Sequence, residues 1–246
     1  MSPEKKMSKR QMMRAKRERQ ARMQRFGMFG IIVVGALLVA AALIYPNLKP
    51  IGEIASANSE ERPMVDDNAM GDPKAPIQIV EFGDYKCSHC GSFAVETEPQ
   101  IVQKYVSTGT VYLVFRSYGG GLSPESQMAA EAAYCAGDQN KYWEYHDILF
   151  ANRASGAFTD RRIKAFAEVI ELDMDAFESC YKNGTYRERT NQDFADARAA
   201  GVEGTPAFVI SYQVDGEERQ RFLYGAYPFS AFQTEIEGAL AEMGLQ

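Results

Sequence analysis

The chemistry of this chain is concentrated in two cysteines separated by two residues, Cys87-Ser88-His89-Cys90. The motif follows a predicted strand, Ile77 to Phe82, and precedes a predicted helix. A cysteine at the start of a helix meets unpaired N–H groups and the positive end of the helix dipole, which stabilise a thiolate. The spacing lets the sulfurs reach bonding distance while only Cys87 faces a substrate, and His89 adds a donor or positive charge beside the thiolate. We therefore predict a redox-active disulfide.

Two other interpretations of the motif are weaker. A structural zinc site takes about four ligands, and the chain has neither a second C-x-x-C nor a closely spaced pair among its two histidines. No metal site is therefore predicted. A purely structural disulfide stays open as an alternative, although the polar His89 between the two sulfurs has no obvious packing purpose.

A second segment that suits redox chemistry is Gly204-Thr205-Pro206. It leads directly into a predicted strand, Ala207 to Ser211, and the entrance of a strand can accommodate a cis X-Pro bond. Because only about 5% of X-Pro bonds in folded proteins are cis, this segment supports no conclusion by itself.

The elements that must position these residues alternate between strand and helix. A strand from Ile77 to Phe82, a helix from Phe93 to Lys104 and a strand from Thr110 to Arg116 make a β-α-β unit, because parallel strands need such a crossover. A run of helical segments follows, and then a hairpin of strands Ala207 to Ser211 and Gln220 to Tyr224 and a last amphipathic helix. The predicted fold class is α/β with an inserted helical domain at about residues 122–185.

The net charge of -6 is the sum of two regions of opposite charge. Residues 1–26 contain ten Lys or Arg and two acidic residues, a net charge of +8, and the rest of the chain carries -14. Residues 27–45 are 19 uncharged residues, about the length of an α-helix that crosses a bilayer. Because the positive charges precede this segment, the N-terminus should stay in the cytoplasm.

The predicted organisation is therefore a basic cytoplasmic tail (1–26), one N-terminal transmembrane signal-anchor (27–45), a linker (46–64) and a folded extracytoplasmic domain (65–246). A cleaved signal peptide remains an alternative, since Ala55-Ser56-Ala57 has the form of a cleavage site. A buried soluble helix rarely runs this long without a charge. The basic tail also suits nucleic acid, but membrane topology explains it more simply, so no nucleic-acid partner is predicted.

The order of these features resembles the DsbA-like thiol:disulfide oxidoreductases of the thioredoxin superfamily. The resemblance rests on Glu81 six residues before Cys87, the Cys-Ser-His-Cys motif, the helical insertion, Gly204-Thr205-Pro206, and the closing hairpin and helix. It implies a thioredoxin fold over about residues 65–243. It also implies that Cys87 is the exposed nucleophile, Cys90 the buried resolving cysteine and His89 the residue that tunes them. No cofactor is implied.

The resemblance further assigns roles to three residues outside the motif. Pro206 would form the cis bond that faces the disulfide, and the backbone of Thr205 would pair with a bound substrate peptide. Glu81 would be the buried acid that relays protons to Cys90, whereas the strand pattern alone also allows Glu81 to point to solvent. Well-known oxidases of the family have Pro where this chain has Ser88 and Val where it has Thr205, which leaves the direction of electron flow open.

The remaining cysteines, Cys135 and Cys180, lie on apolar faces of separate predicted helices in the insertion. An even number of cysteines outside the cytoplasm favours a second disulfide, and the resemblance agrees, since some relatives carry a bridge in this insertion. Two buried free thiols or a second redox relay remain alternatives.

The function implied is the formation of disulfides in reduced secreted proteins by a monomeric, single-pass membrane enzyme whose domain is periplasmic or on the cell surface. A DsbB-like or vitamin K epoxide reductase-like membrane oxidase would reoxidise it. Two alternatives stay open. One is a reductase or isomerase that works in the opposite direction, and the other is a tethered chaperone that holds peptides without turnover.

Overall fold

The N-terminal part of the chain is one long helix. The computed structural model describes residues 9–48, 51–57 and 61–245, and the chain divides into two units, Met1–Ile51 and Gly52–Gln246. The first unit contains α1, Lys9–Leu48. Within α1, Met12–Tyr45 is long and apolar enough to cross a membrane by length and composition. The predicted tail is thus helical from Lys9, and its residues 1–8 lie outside the described residues.

The second unit is built on a mixed sheet whose strands lie in the order β1-β3-β2-β4-β5. β2 and β3 are parallel, and β1 with β3, β2 with β4, and β4 with β5 are antiparallel. Burial alternates along β3, as expected for a strand that has one face against the main core. The strands are β1 Ala69–Met70, β2 Ile77–Gly83, β3 Val111–Ser117, β4 Ala207–Val214 and β5 Glu217–Tyr224.

Helices cover the sheet and form the insertion. α2 and α3 are separated at Thr97, and a π-helical turn at Val102–Val106 leads on towards β3. Four helices, α4 to α7, lie between β3 and α8, which corresponds to the predicted insertion. The helices of this unit are α2 Ser88–Glu96, α3 Glu98–Ile101, α4 Pro124–Gly137, α5 Tyr142–Asn152, α6 Asp160–Val169, α7 Met174–Asn183, α8 Arg187–Ala199 and α9 Phe229–Glu242.

Two hydrophobic cores lie on the two faces of the sheet. Successive side chains of a strand point to opposite faces, so Phe208 joins the larger core while its neighbours Ala207 and Val209 join the smaller one. The larger core contains Phe93 and Phe232, whose rings both contact Phe208, and it continues into the insertion. This arrangement is a thioredoxin-type sheet with an inserted helical domain.

A disulfide joins two helices of the insertion. Cys135 on α4 and Cys180 on α7 are bonded, with their Cα atoms 5.8 Å apart. Cys135 is buried in the larger core, and Cys180 packs against that core.

The segment predicted as a free linker, 46–64, differs from that prediction at both ends. α1 continues to Leu48, and the folded unit begins at Gly52. The backbone N–H of Ala55 donates to Asn152 Oδ1 at 2.9 Å, and Asn152 Nδ2 donates back to the Ala55 carbonyl at 2.9 Å. Ile54 also packs against the core. The segment lacks an apolar period, but single residues are sufficient to dock it; positions 49–50 and 58–60 lie outside the described residues.

Candidate active site

Cys87 and Cys90 lie where β2 passes into α2. Cys87 is the N-cap residue of α2, with φ -74° and ψ 124°, and its carbonyl accepts from the N–H of Gly91 at 3.2 Å. Cys87 is partly exposed and Cys90 is fully buried, and both thiols are free. One sulfur is therefore accessible from outside the domain, and the other lies behind it in the core.

The surroundings of Cys87 favour its thiolate. Its pKa falls from 9.0 to about 5, chiefly because the Cys90 thiol donates a hydrogen bond to it. Partial burial opposes this shift, and hydrogen bonds from the Thr205 side chain and from the backbone N–H groups of Cys90 and His89 add to it. These N–H groups belong to the first turn of α2, where intrahelical partners are missing.

The surroundings of Cys90 favour its neutral thiol. Burial is the largest cause of a pKa well above 9.0, followed by the hydrogen bond to Cys87 and the negative charge of Glu81. The backbone N–H of Asp84 donates to Cys90 Sγ at 3.4 Å, which acts in the opposite direction. The two sulfurs therefore differ in charge as well as in exposure.

Glu81 points into the protein from the middle of β2. It is 1% exposed, and its partners in register on the neighbouring strands are Phe115 and Phe208. Within the described part of the chain, neither of its carboxylate oxygens has a hydrogen-bond partner. Burial raises the pKa of Glu81 well above 4.5, and the charges of Glu98 and Cys87 raise it further. Burial therefore favours the protonated form of this carboxyl group.

The Gly204-Thr205-Pro206 segment lies beside Cys87. The Thr205–Pro206 peptide bond is cis, and Cys87 Sγ is 3.5 Å from the Thr205 carbonyl oxygen. An open groove of about 440 Å³ adjoins it, lined by Gly201, Glu203, Gly204, Thr205, Pro206, Tyr224 and Gly225.

His89 and Ser88 are exposed on the first turn of α2. His89 contributes to the Cys87 thiolate through its backbone N–H, whereas the sequence predicts a contribution from its ring. A role of the His89 ring stays a prediction.

Two further acidic residues of the site were missed in the sequence. Asp84 is buried, and its Oδ1 accepts from Lys86 N–H at 2.6 Å and from Ser126 Oγ at 3.0 Å. Burial raises the pKa of Asp84 above 3.8, although these hydrogen bonds oppose the rise. Its position three residues before Cys87, just after a strand, could have identified it. Glu98 is also buried, but it carries no comparable signal in the sequence.

Metal binding has no support at this site. Among residues 9–48, 51–57 and 61–245, no group of three or more His, Cys, Asp or Glu side chains is placed to hold a metal ion.

Residues 64–221 match the family model described as thioredoxin, and the chain belongs to this family. The solved structure of α-DsbA1 from Wolbachia pipientis is similar over 74% of this chain and 94% of that one, with a TM-score of 0.64 and 24% identity. This likeness shows the fold. The predicted fold class and the predicted resemblance to DsbA-like proteins are confirmed.

Two curated relatives differ in how much of their length is matched. The "Probable disulfide bond formation protein D" of Bacillus cereus is 25% identical over 58% of this chain and 69% of its own length. The "Na(+)/H(+) antiporter NhaA 1" of Salinispora arenicola is 30% identical over 71% of this chain. This chain spans only about a quarter of such antiporter relatives, 25% in that case. Their names describe those longer proteins.

Proposed function

We propose that this chain is a membrane-anchored, extracytoplasmic thiol:disulfide oxidoreductase that introduces disulfides into reduced secreted proteins. The observation that carries the proposal is the asymmetry of the two sulfurs. Cys87 is partly exposed with a pKa lowered to about 5, whereas Cys90 is buried with a raised pKa. A substrate thiolate can therefore reach only one sulfur, and that sulfur is also the better leaving group.

The reaction is two successive thiol-disulfide exchanges. In the oxidised protein, a substrate thiolate attacks Cys87 Sγ, the Cys87–Cys90 bond breaks, and Cys90 leaves and takes up a proton. We assign the proton to Glu81, whose negative charge contributes to the raised pKa of Cys90. A second substrate thiolate then attacks the substrate sulfur of the mixed disulfide, and Cys87 leaves as a stabilised thiolate. Two substrate thiols become one disulfide, and the protein disulfide becomes a dithiol.

The lowered pKa of Cys87 favours the oxidising direction. Stabilising the reduced form raises the reduction potential, and about 30 mV corresponds to roughly 1.4 kcal/mol for a two-electron couple. The test is to equilibrate the full chain in detergent micelles with glutathione buffers and to measure the Cys87–Cys90 potential. We expect a value closer to about -120 mV, as in DsbA, than to about -270 mV, as in thioredoxin. A value near the latter would favour the reductase.

Trapping with Cys90→Ala separates an enzyme from a peptide-holding module. Without Cys90, a mixed disulfide through Cys87 cannot be resolved from inside the protein, so substrate adducts should accumulate. The matched control is Cys87→Ala/Cys90→Ala, which should form none. If Cys90→Ala traps no proteins in cells, both catalytic directions are wrong and the chaperone alternative gains support.

The location is proposed from the N-terminal helix. Residues 27–45 would span the membrane, with the basic residues of 1–26 in the cytoplasm, because cytoplasmic flanks carry an excess of Lys and Arg. The length and composition of the apolar part of α1 support a membrane span, and the proposed orientation rests on the flanking charge. Single cysteines placed at Ser8 and at Ser59 in a chain without native cysteines should differ in their labelling by an impermeant maleimide on intact cells. Only Ser59→Cys should react.

We propose a membrane oxidase as the redox partner, because the reaction leaves Cys87 and Cys90 reduced. Turnover requires an acceptor for two electrons per substrate disulfide, and a DsbB-like or vitamin K epoxide reductase-like quinone protein in the same membrane would supply it. Deleting such an oxidase should leave Cys87 and Cys90 reduced in cells, as measured by a thiol-specific mass label.

A further inference from the structure

An arginine at the end of helix α5 contacts both residues that flank the Cys87–Cys90 motif. Arg153 is the C-cap residue of α5. Its backbone carbonyl accepts a hydrogen bond at 2.8 Å from Nζ of Lys86, the residue before Cys87. Its side chain lies against Gly91, the residue after Cys90. The fold therefore holds Arg153 beside the motif, although it is 67 residues from Lys86 in the sequence.

Gly91 makes room for the Arg153 side chain. A methyl group on Gly91 would overlap Nε, Cζ and Cδ of Arg153, so the guanidinium packs directly on the backbone of α2. The N–H of Gly91 donates to the Cys87 carbonyl at 3.2 Å, and one turn of helix, about 5 Å, separates residues bonded in this way. A positive charge therefore lies about one helical turn from the residue that carries the accessible sulfur.

The charge of Arg153 has no carboxylate partner in the described part of the chain. Its Nη1 donates to the Phe150 carbonyl at 2.8 Å, at the C-terminal end of α5, where a cation is favourable. Arg62 is the opposite case, because it lies 2.8 Å from both Glu98 and Asp147. Arg153 is partly exposed, and its guanidinium has further donors for a group that comes from outside the chain.

The other charges near the accessible sulfur are placed differently. Nζ of Lys86 lies 3.8 Å from a carboxylate oxygen of Glu125, and it also donates to the Gly156 carbonyl at 3.0 Å. Glu203 lines the groove beside Thr205 and would repel an acidic peptide there. Arg153 thus presents an unshared positive charge at the motif, in a part of the chain whose net charge is strongly negative.

We propose that Arg153 is a specificity-determining residue whose guanidinium favours substrate thiolates with Asp or Glu beside the reacting cysteine. The inference rests on the proposed function, because it requires a substrate thiolate to attack Cys87. In that step the substrate sulfur bonds to Cys87 Sγ, the Cys87–Cys90 bond breaks, and its electron pair goes to Cys90 Sγ, which takes up a proton. The incoming group carries negative charge towards Cys87, and a neighbouring carboxylate adds to that charge. An unshared cation at the site raises the association rate of such a group.

The experiment compares two reduced peptides that differ only in the charge beside a single cysteine. One contains Asp-Cys-Asp and the other Lys-Cys-Lys, in an otherwise identical uncharged sequence. The oxidised full chain in micelles of an uncharged detergent is mixed with each peptide at pH 7 and quenched with acid, and the mixed disulfide is counted by mass spectrometry. Initial rates are expressed per peptide thiolate, because the two flanking charges shift the pKa of the peptide thiol in opposite directions. The measured quantity is the rate with the Asp peptide divided by the rate with the Lys peptide.

Arg153→Gln should lower this ratio about three- to tenfold, as expected for charges that interact near a protein surface. Arg153→Lys keeps the charge and should keep most of the ratio. Gly91→Ala keeps every charge but displaces the guanidinium, so it should also lower the ratio, and it should have no further effect in the Arg153→Gln chain. In 1 M salt the wild-type ratio should fall towards the Arg153→Gln value, because the Debye length shrinks to about 3 Å.

The ratio separates recognition from packing, because a distorted site would slow both peptides equally. Arg219→Gln is the matched control. It removes an exposed arginine of β5 that pairs in register with Tyr212, and it should leave the ratio unchanged. If Arg153→Gln fails to fold, Gly91→Ala decides the question in its place. An unchanged ratio in the deciding variant, or an equal fall in Arg219→Gln, would overturn the inference.

The wild-type chain distinguishes this failure from failure of the proposed function. If it forms no mixed disulfide with either peptide, Cys87 does not exchange with substrate thiols, and both proposals are wrong. If it reacts with the peptides and Arg153→Gln leaves the ratio unchanged, only the role of Arg153 is wrong.

Discussion

The two cysteine pairs of this protein lie in one folded unit and have contrasting surroundings. Cys135 and Cys180 join two helices of the insertion and are packed in or against the hydrophobic core. Cys87 and Cys90 lie within four residues at the start of a helix, one partly exposed and one buried. The buried carboxyl groups of Glu81 and Asp84 interact electrostatically with this second pair. Each pair has one buried and one partly buried cysteine, so exposure alone does not distinguish them. The redox pair is distinguished by its place at the start of a helix, where the pKa of Cys87 is lowered and that of Cys90 is raised.

The largest expected effect is the loss of exchange when Cys87 is replaced. Cys87→Ser should lower the rate at which the protein oxidises a reduced, unfolded substrate by at least about 10³-fold, as for other enzymes that lose their nucleophile. Cys135→Ala/Cys180→Ala should keep the rate within about twofold at a temperature where it stays folded, because this pair lies outside the site. A comparable loss in the second variant would show that the insertion pair takes part in exchange.

The next largest effect is the loss of stability when the Cys135–Cys180 disulfide is removed. Cys135→Ala/Cys180→Ala should lower the free energy of unfolding by about 4 kcal/mol on the chain-entropy model, since the bridge spans a sequence separation of 45 residues. Urea unfolding followed by circular dichroism measures it. Either single replacement should cost about as much as the double, because a bridge needs both sulfurs. If the losses of free energy of unfolding in the two single variants summed to the loss in the double variant, the result would contradict the bridge.

The stability of the form in which Cys87 and Cys90 are reduced should depend on pH. The pKa of Cys87 is lowered from 9.0 to about 5 in the folded protein. Its thiolate therefore stabilises the folded, reduced form fully above pH 9, and this contribution is lost as the pH falls through about 5. With the insertion bridge intact, the melting temperature of the reduced form minus that of the oxidised form should decrease from pH 8 to pH 5. A difference that does not change with pH would contradict the lowered pKa.

The smallest expected effect is the loss of stability when the hydrogen bond between the helical insertion and the redox site is removed. Ser126 lies on α4, the helix that carries Cys135, and its hydroxyl donates to Asp84 beside the redox pair. Ser126→Ala should cost about 1–3 kcal/mol, since it leaves part of a buried carboxyl group without its donor. Ser107→Ala removes an exposed hydroxyl bonded to a backbone carbonyl and should change stability by less than about 0.5 kcal/mol. Equal costs would mean that the contact contributes little.

Local patterns were sufficient to predict the elements that carry the redox motif. The strand predicted from Ile77 to Phe82 is Ile77–Gly83, and the strand predicted from Thr110 to Arg116 is Val111–Ser117. Both are short apolar runs between turn residues, which is a strong signal. The helix predicted from Phe93 to Lys104 begins earlier and is interrupted at Thr97, just before Pro99, which lacks a backbone N–H.

The features that were missed depend on contacts between distant parts of the chain. Glu98 and Arg62 are 36 residues apart, and neither belongs to a pattern that indicates burial. A charged residue is usually exposed, and only its partners make burial tolerable. The face on which Glu81 lies was undecided for a related reason, since alternation along a strand does not say which face is covered. Tertiary packing determines these positions.

The fluorescence of Trp143 can report on the segment before the sheet, because Trp143 contacts Arg62. It is the only tryptophan of the chain, and it is buried beneath the Arg62 guanidinium, with its indole N–H bonded to the Ala69 carbonyl at 3.3 Å. The tryptophan fluorescence, excited at wavelengths where tyrosine does not absorb, therefore comes from the place where Arg62 contacts helix α5. Release of that segment would expose the indole to water and shift its emission to longer wavelength, so its docking can be followed without any added dye.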